Sequence, residues 1–251
     1  MPNGSPDIYT YLSHSGAFRE NTLSEAKLAI IAGADTNAIT VSNICWLLCR
    51  YPEYQEKLNK ELSDLPCSNG VIEDKFLFDK PCLNGIINEA LRLHPPVPSG
   101  LQRVTPPEGV VIAGRYIPGK MNVSTPTYAL HRGISRLLFQ LTYANILDPR
   151  AFVYPEDFLP ERWSTRPDLI LRRDAFLPFG YGAYICAGKP LAMLQLRMVV
   201  GMIFRRFRVF FAPGEEADCR RFIGNQADCF TLRLERLPLC FEEKRWSSRL
   251  D

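Results

Sequence analysis

The sequence predicts a mainly α-helical protein with small antiparallel β-sheets. Apolar residues recur at helical spacing over several long segments. Short runs of β-branched and aromatic residues flank turns, which is the pattern of small antiparallel strands. The chain has 251 residues, of which 46% are hydrophobic. It can therefore bury a substantial core in one large or two small domains.

The periodicity places these elements along the chain. It predicts helices over residues 23–51, 53–65, 76–93 and 190–207. Strands are expected over 110–117 and 121–127 around a turn at 119–120, over 208–211, and in a terminal hairpin over 231–241. Pro52 and the prolines of segment 94–98 end the helices before them. We divide the chain into a polar leader, residues 1–22, and a body, residues 23–251, with a proline-rich irregular stretch at 149–178.

Composition excludes several classes of function. The net charge of +3 is too small to indicate nucleic-acid binding. The eight cysteines do not form the repeated close pairs of a disulfide framework. Neither CxxC nor HExxH spacing occurs, which argues against a zinc site. We find no apolar run of the length that spans a bilayer and expect no transmembrane segment.

Cys186 lies among glycines, with Gly180 and Gly182 before it and Gly188 after it, directly ahead of the helix predicted at 190–207. Peptide N–H groups and the positive end of a helix dipole favour a thiolate at such a position. A thiolate held at a loop tip is a metal ligand or a nucleophile, whereas a lone cysteine is more commonly a buried, inert thiol. The rest of the chain has to decide among these three interpretations.

The cysteine loop resembles the haem-binding loop of the cytochrome P450 family, with Phe179, Gly182, Cys186 and Gly188 at the matching positions. Three further motifs occur in the order that this family has. Segment 32–36 (AGADT) resembles the oxygen-activating stretch, segment 89–92 (EALR) the ExxR motif, and segment 160–163 (PERW) the meander. The resemblance runs from about residue 7 to about residue 234. It implies the C-terminal, haem-proximal part of the P450 fold, truncated by about its first half.

The resemblance also implies a cofactor, an activity and partners. The cofactor is haem b, iron protoporphyrin IX, with Cys186 as the axial thiolate. The activity is a monooxygenase reaction on a small, lipophilic organic substrate, with electrons from NAD(P)H through a reductase or another donor. The style of the 94–100 and PERW segments is similar to fungal members. Intact relatives are often bound to the endoplasmic reticulum, and the sequence does not identify the substrate.

The resemblance assigns roles to individual residues around the haem. Phe179 would shield the sulfur, and Gly182 and Gly188 would let the backbone approach the porphyrin. Asp35 and Thr36 would deliver protons to the bound oxygen on the opposite side of the haem. From the residues alone, the last two could equally be an ordinary surface aspartate and a threonine bonded back to its own helix.

Two further assignments concern charged residues. Glu89 and Arg92 share a helix face and would form a structural ion-pair network with Arg162 of the meander. Without the resemblance, the pair could be an exposed intrahelical pair of little energetic value. Arg103 matches an arginine that pairs with a haem propionate, and a solvated arginine is the equal alternative.

The sequence departs from the family pattern at two places. Tyr184 stands where the family usually has an arginine that pairs with a propionate, so we expect weakened haem retention. Residues 133–147 interrupt the usual run into the meander, and are either a surface insertion or translated intron sequence. These departures and the missing half leave a second hypothesis open, a catalytically inactive fragment with weak or no haem binding. A hydrolase or redox enzyme with Cys186 as nucleophile is a third, without a neighbouring His–Asp pattern to support it.

Overall fold

Helices make up most of the regular structure in the computed structural model, which describes residues 19–68, 71–132 and 151–244. The helices are α1 (Arg19–Arg50), α2 (Pro52–Leu62), α3 (Asp74–Leu77), α4 (Pro81–Leu93), α5 (Thr127–Arg132), α6 (Lys189–Arg206) and α7 (Glu216–Gly224). The strands are β1 (Arg103–Val104), β2 (Val110–Ile112), β3 (Arg115–Ile117), β4 (Asn122–Val123), β5 (Phe207–Phe211), β6 (Ala227–Cys229), β7 (Thr231–Arg233) and β8 (Leu239–Glu243). Together they confirm the predicted fold class.

The long first helix follows the predicted apolar periodicity and ends at Arg50, two residues before Pro52, which opens α2. It begins at Arg19, four residues before the predicted start at residue 23 and inside the segment that we assigned to a polar leader. Residues 1–18 lie outside the described part of the chain.

The main hydrophobic core lies where α1, α2, α4 and α6 pack against one another. Each of the four helices contributes fully buried side chains, among them Leu48, Leu58, Ile86, Val200 and Phe204. Burying each such side chain contributes about 1.5–3 kcal/mol before its entropy cost. The core buries the later part of α6, from Leu196 to Phe204, whereas the first turn of this helix, next to the cysteine loop, is exposed.

The described sheets are four antiparallel pairs: β1 with β4, β2 with β3, β5 with β8 and β6 with β7. The β2–β3 turn falls at Ala113 and Gly114, both with positive φ, which is the geometry of a tight hairpin. The predicted turn at residues 119–120 is present between β3 and β4, but the predicted strand over 110–117 is two strands, and the turn that joins them was missed. The predicted terminal hairpin over residues 231–241 was wrong, because β7 pairs with the preceding strand β6, while β8 pairs with β5, which is distant in sequence.

The single helix predicted over residues 76–93 is two helices in the structure. Helix α3 ends at Leu77, and α4 begins at Pro81. Proline is tolerated there because the backbone N–H groups in the first turn of a helix have no intrahelical partner. The irregular stretch at 149–178 is confirmed where it is described. It contains short 3₁₀ turns at Pro160–Trp163, Pro167–Leu169 and Arg173–Ala175.

The segment Leu23–Arg50 of α1 is long and apolar enough to cross a membrane, and its most apolar 18-residue window has a mean hydropathy of 1.3. Our expectation that no apolar run reaches that length was wrong by this criterion. The second half of the helix is part of the protein core, with Ile44 and Leu48 fully buried, whereas Ile30 and Ile31 are exposed. Core helices of soluble proteins meet the same criterion, so the helix alone is weak evidence for a membrane span.

Helix α4 and the PERW turn approach each other closely at Gly85. A Cβ at this position would lie 2.7 Å from the carbonyl oxygen of Pro160, a distance that real Cβ atoms essentially never show. A side chain here would push the ExxR helix away from the turn that carries Arg162. Glycine is therefore required by packing, although it is unfavourable inside a helix.

We predict that Gly85→Ala lowers the free energy of unfolding by about 1–3 kcal/mol, because the added methyl overpacks a backbone contact. The matched control is Gly33→Ala, also within a helix, where nothing lies within 4 Å of the added Cβ. The control should gain up to about 1 kcal/mol from better helix propensity. Urea unfolding of both variants measures the difference. Equal stabilisation by the two changes would contradict the close approach.

Candidate functional site

The loop that carries Cys186 is anchored by backbone hydrogen bonds. The amide of Cys186 donates to the carbonyl oxygen of Phe179 at 2.8 Å, and the amide of Lys189 donates to the carbonyl oxygen of Cys186 at 3.3 Å. Phe179 itself packs against the main core. Gly182 has φ +75°, a left-handed conformation that glycine adopts without steric cost. The loop therefore turns sharply and presents the side chain of Cys186 to solvent at the start of α6.

Exposure separates Cys186 from the core cysteines. All eight cysteines are free thiols. Burial raises the pKa of Cys45, Cys49 and Cys82 to about 12, so these thiols stay protonated and inert. Cys186 is exposed, and a Cβ at Gly188 would lie 3.8 Å from its Sγ, so the flank of the sulfur is uncrowded. The buried, inert interpretation of Cys186 does not fit this position.

Arg103 lies beside the cysteine loop. Its guanidinium carbon is 4.7 Å from the centroid of the Tyr184 ring, and both side chains are exposed. A guanidinium stacked on a ring still presents its in-plane N–H donors to an anion. Arg103, the candidate partner of a haem propionate, thus lies against Tyr184, the residue that stands where the family usually has an arginine.

Asp35 and Thr36 lie on α1, which continues unbroken through the motif. The Thr36 hydroxyl donates to the carbonyl oxygen of Ala32 at 2.7 Å, the back-bonded arrangement that the sequence left open. The Asp35 carboxylate is exposed and accepts a hydrogen bond at 3.0 Å from the hydroxyl of Thr231. Neither residue is held in a closed pocket by the described part of the chain.

An open cavity of about 420 Å³ lies between α1 and the β6–β7 hairpin, with Asp35, Ile39, Thr231 and Leu232 among its lining residues. It combines a carboxylate with apolar side chains, which is the usual composition of a small-molecule site. A second open cavity of about 440 Å³ is lined by Ile72, Ile203 and Phe207 among others, and includes none of the motif residues. The first cavity is therefore the one associated with the candidate site.

Glu89 is the centre of a buried charge network. Its Oε1 accepts from Arg92 Nη2 (2.8 Å), Arg162 Nε (2.9 Å) and the amide of Leu159 (3.1 Å). Its Oε2 accepts from Arg92 Nε (2.9 Å) and the indole Nε1 of Trp163 (2.9 Å). Glu89, Arg92 and Arg162 are all fully buried. The weak, exposed ion pair that the spacing alone allowed is therefore not what forms.

The remaining N–H groups of the two arginines donate to backbone carbonyls. Arg92 donates to the carbonyl oxygens of His131, Pro155 and Asp157, and Arg162 to those of Val153, Tyr154 and Leu169. Within the described residues, no buried side-chain nitrogen or oxygen lacks a hydrogen-bond partner. Full pairing offsets the cost of burying these charges and ties α4 to the end of α5 and to the meander.

Three residues that the structure brings to this region had no individual role predicted from the sequence. Trp163 completes the Glu89 shell, Thr231 binds Asp35, and His131 lies fully buried between Arg92 and the chain that leads to the cysteine loop. Trp163 was visible as the last residue of PERW. No periodicity or spacing indicates the other two contacts. The segment 133–147, with its two alternative origins, lies outside the described residues.

Comparison with known proteins identifies the class. The cytochrome P450 family model matches residues 14–222, and the chain belongs to this family. Membership confirms the resemblance that the four motifs indicated, and implies haem held by a cysteine thiolate. It also agrees with a helical fold that carries small antiparallel sheets.

Several fungal relatives match nearly the whole chain. It is 37% identical over 248 residues to "Cytochrome P450 monooxygenase nodW" of Hypoxylon pulicicidum, covering 97% of this chain and 43% of the relative. It is 40% identical to "Cytochrome P450 monooxygenase phqL" of Penicillium fellutanum, with 96% and 41% covered. It is 35% identical to "Tryprostatin B 6-hydroxylase" of Neosartorya fischeri, with 94% and 41% covered. The chain thus spans about two fifths of the length of the curated relatives it matches.

We predict that Glu89→Gln lowers the free energy of unfolding by about 3–5 kcal/mol, because two buried guanidiniums lose their counter-charge. Asp168→Asn is the matched control, since it removes the carboxylate of the exposed Arg166–Asp168 pair. The control should unfold at the wild-type urea concentration within error. A Glu89→Gln variant as stable as this control would contradict the network.

Two buried histidines predict a specific acid sensitivity. Burial lowers the pKa of His94 and His131 from 6.5 to about 3 in the folded protein. Below pH 6.5 the unfolded chain binds protons that the folded chain does not, so stability falls as the pH falls. Between pH 6 and pH 5, the two histidines together should cost roughly 2 kcal/mol.

The measurement is urea unfolding as a function of pH in wild type and in His94→Phe. In the variant, the part of the stability decrease between pH 6 and pH 5 that is due to histidines should be about half of that in wild type. The reason is that one of the two titrating histidines is gone. An identical pH slope in both proteins would mean that His94 is not buried in its neutral form.

Proposed function

We propose that this chain is the C-terminal, haem-proximal portion of a haem-thiolate monooxygenase. The parent reaction inserts one atom of O₂ into an organic substrate and releases the other as water, with electrons from NAD(P)H through a reductase and protons from solvent. Family membership supports the proposal, together with one observation. Cys186 is an exposed thiol in a glycine-containing loop that is hydrogen-bonded to the core residue Phe179.

The residues present fit the cofactor that the family uses. Haem bound through a thiolate supplies the redox centre, and the sulfur pushes electron density towards the iron. Cys186 would hold the iron, and Gly182, with nothing within 4 Å of its missing Cβ, leaves room for a flat ring. Arg103 would pair with a propionate, while Tyr184 offers a hydroxyl donor without charge.

The residues on α1 would serve the other side of the same site. The Thr36 hydroxyl donates its hydrogen bond to the carbonyl oxygen of Ala32, so its oxygen is left to accept a hydrogen bond from water or substrate. The exposed Asp35 carboxylate, which accepts a hydrogen bond from Thr231, would pass protons from solvent into the site. The cavity beside Asp35 would take part of an apolar substrate.

A second candidate is a catalytically inactive fragment with weak or no haem binding. It is favoured by the exposed apolar side chains of Leu28, Ile30 and Ile31 on α1. An open distal side admits water, which weakens every electrostatic contact that a closed site would strengthen.

One spectrum distinguishes the two candidates. Purified chain reconstituted with haem, reduced and exposed to CO, should give the absorption band of a thiolate-ligated iron. Cys186→Ser should abolish this band, while Cys229→Ser, which replaces another exposed thiol, should keep it. A band that survives Cys186→Ser would overturn the assignment of the ligand, and no band in wild type would favour the inactive fragment.

We predict that Tyr184→Arg tightens haem binding by about tenfold, because a second cation, whose contribution is about 1.4 kcal/mol, faces the propionates. Tyr184→Phe is the control, since it keeps the ring that packs against Arg103 but removes the hydroxyl. A haem titration followed by absorbance gives all three affinities. Unchanged affinity in Tyr184→Arg would refute the view that this tyrosine weakens haem retention.

A further inference from the structure

His131 is a fully buried histidine at the end of α5 to which the proposed function gives no role. Its Nδ1 is 3.2 Å from the carbonyl oxygen of Arg92, and its Nε2 is 3.0 Å from the backbone nitrogen of Leu177. A carbonyl oxygen can only accept, and an amide N–H can only donate. Both contacts are hydrogen bonds only when the ring is neutral and carries its hydrogen on Nδ1.

The two partners of this ring belong to different parts of the site. Arg92 is a member of the buried network around Glu89. Leu177 begins the stretch that leads to the cysteine: its carbonyl oxygen accepts from Gly180 N–H at 3.0 Å, and the carbonyl oxygen of Phe179 accepts from Cys186 N–H at 2.8 Å. One imidazole therefore connects the charged network with the start of the cysteine loop.

A second path of contacts joins the same two regions. The His131 ring lies 5.3 Å from the ring of Phe176, and Phe176 lies 4.3 Å from the ring of Trp163. The indole of Trp163 donates to Glu89. The imidazole is thus held at a fixed orientation by an aromatic neighbour as well as by its two hydrogen bonds.

The surroundings of His131 oppose its protonation. The ring is buried, and the guanidinium groups of Arg92 on α4 and Arg132 on its own helix both repel a second positive charge. Protonation at Nε2 would also set two N–H donors against each other at Leu177. The neutral ring is therefore the form that the folded protein selects.

We propose that His131 is a positioning residue for the cysteine loop, which sets the start of the loop against the Glu89–Arg92 network through Arg92 O and Leu177 N–H. Its importance for catalysis rests on the proposed function, because only a ligand role makes the exact placement of Cys186 matter. The positioning itself does not require haem.

The first test uses the unaltered chain. Nitrogen-15 NMR of the imidazole reports both its charge and which nitrogen carries the hydrogen. We expect a neutral His131 with its hydrogen on Nδ1 at pH 6. A hydrogen on Nε2, or a charged ring at that pH, would overturn the proposal, because Leu177 N–H would then have no acceptor.

The second test measures amide hydrogen exchange in His131→Phe, which keeps an aromatic ring against Phe176 and removes both hydrogen bonds. The amides of Leu177 and Cys186 should exchange at least about tenfold faster than in His94→Phe, a control at a second buried histidine. His131→Gln, whose side-chain oxygen can accept from Leu177 N–H, should restore most of the protection at Leu177.

Equal exchange at Leu177 in His131→Phe and His94→Phe would overturn the positioning role and leave only a packing role. If His131→Phe does not fold, the NMR result and His131→Gln still decide the question. Neither test uses haem. A chain that takes up no haem would therefore contradict the proposed function. The positioning role of His131 would still be decided by the two tests above.

Discussion

A single buried carboxylate holds the site region together. Glu89 is the shared counter-charge of two guanidiniums that have no access to water, and it also accepts hydrogen bonds from Trp163 and the amide of Leu159. Removing such charges from water costs several kcal/mol per ion, and the cost is offset only when every donor finds a partner. The network therefore tolerates one arrangement of α4, the end of α5 and the meander. Because that arrangement leads through His131 to the segment before Cys186, a constraint far from the sulfur sets where the sulfur lies.

Much of this fold could be predicted because its helices have strong local signals. Apolar periodicity and proline positions predicted both ends of α6 to within one residue, and those of α1 and α2 to within four. The division of the 76–93 helix was missed, although Pro81 in its interior was the available signal. Strand pairing was predicted less well, because alternation identifies a strand but not its partner. The partner of β8 is β5, which lies far away in sequence and is chosen by core packing rather than by a local turn.

In the candidate site, too, residues with local sequence signals could be predicted, and contacts between distant elements could not. Residue type and spacing indicated Cys186 and the Glu89–Arg92 pair, and the resemblance to the family added Arg162. The roles of His131 and Thr231 could not be predicted, since their importance arises from contacts across the fold, with a backbone amide at Leu177 and a carboxylate at Asp35. Sequence patterns describe neighbours along the chain, whereas these contacts are made between elements that only the folded core brings together.

The most direct test of the link between network and sulfur is hydrogen exchange at the Cys186 amide in Glu89→Gln under conditions where the variant remains folded. We expect this amide, which donates to Phe179 O, to exchange at least about tenfold faster than in wild type, a loss of about 1.4 kcal/mol of local protection. Amides of the surface hairpin β2–β3 should keep their wild-type rates. A Cys186 amide that exchanges at the wild-type rate in the folded variant would contradict the account, because the loop would then be held without the carboxylate.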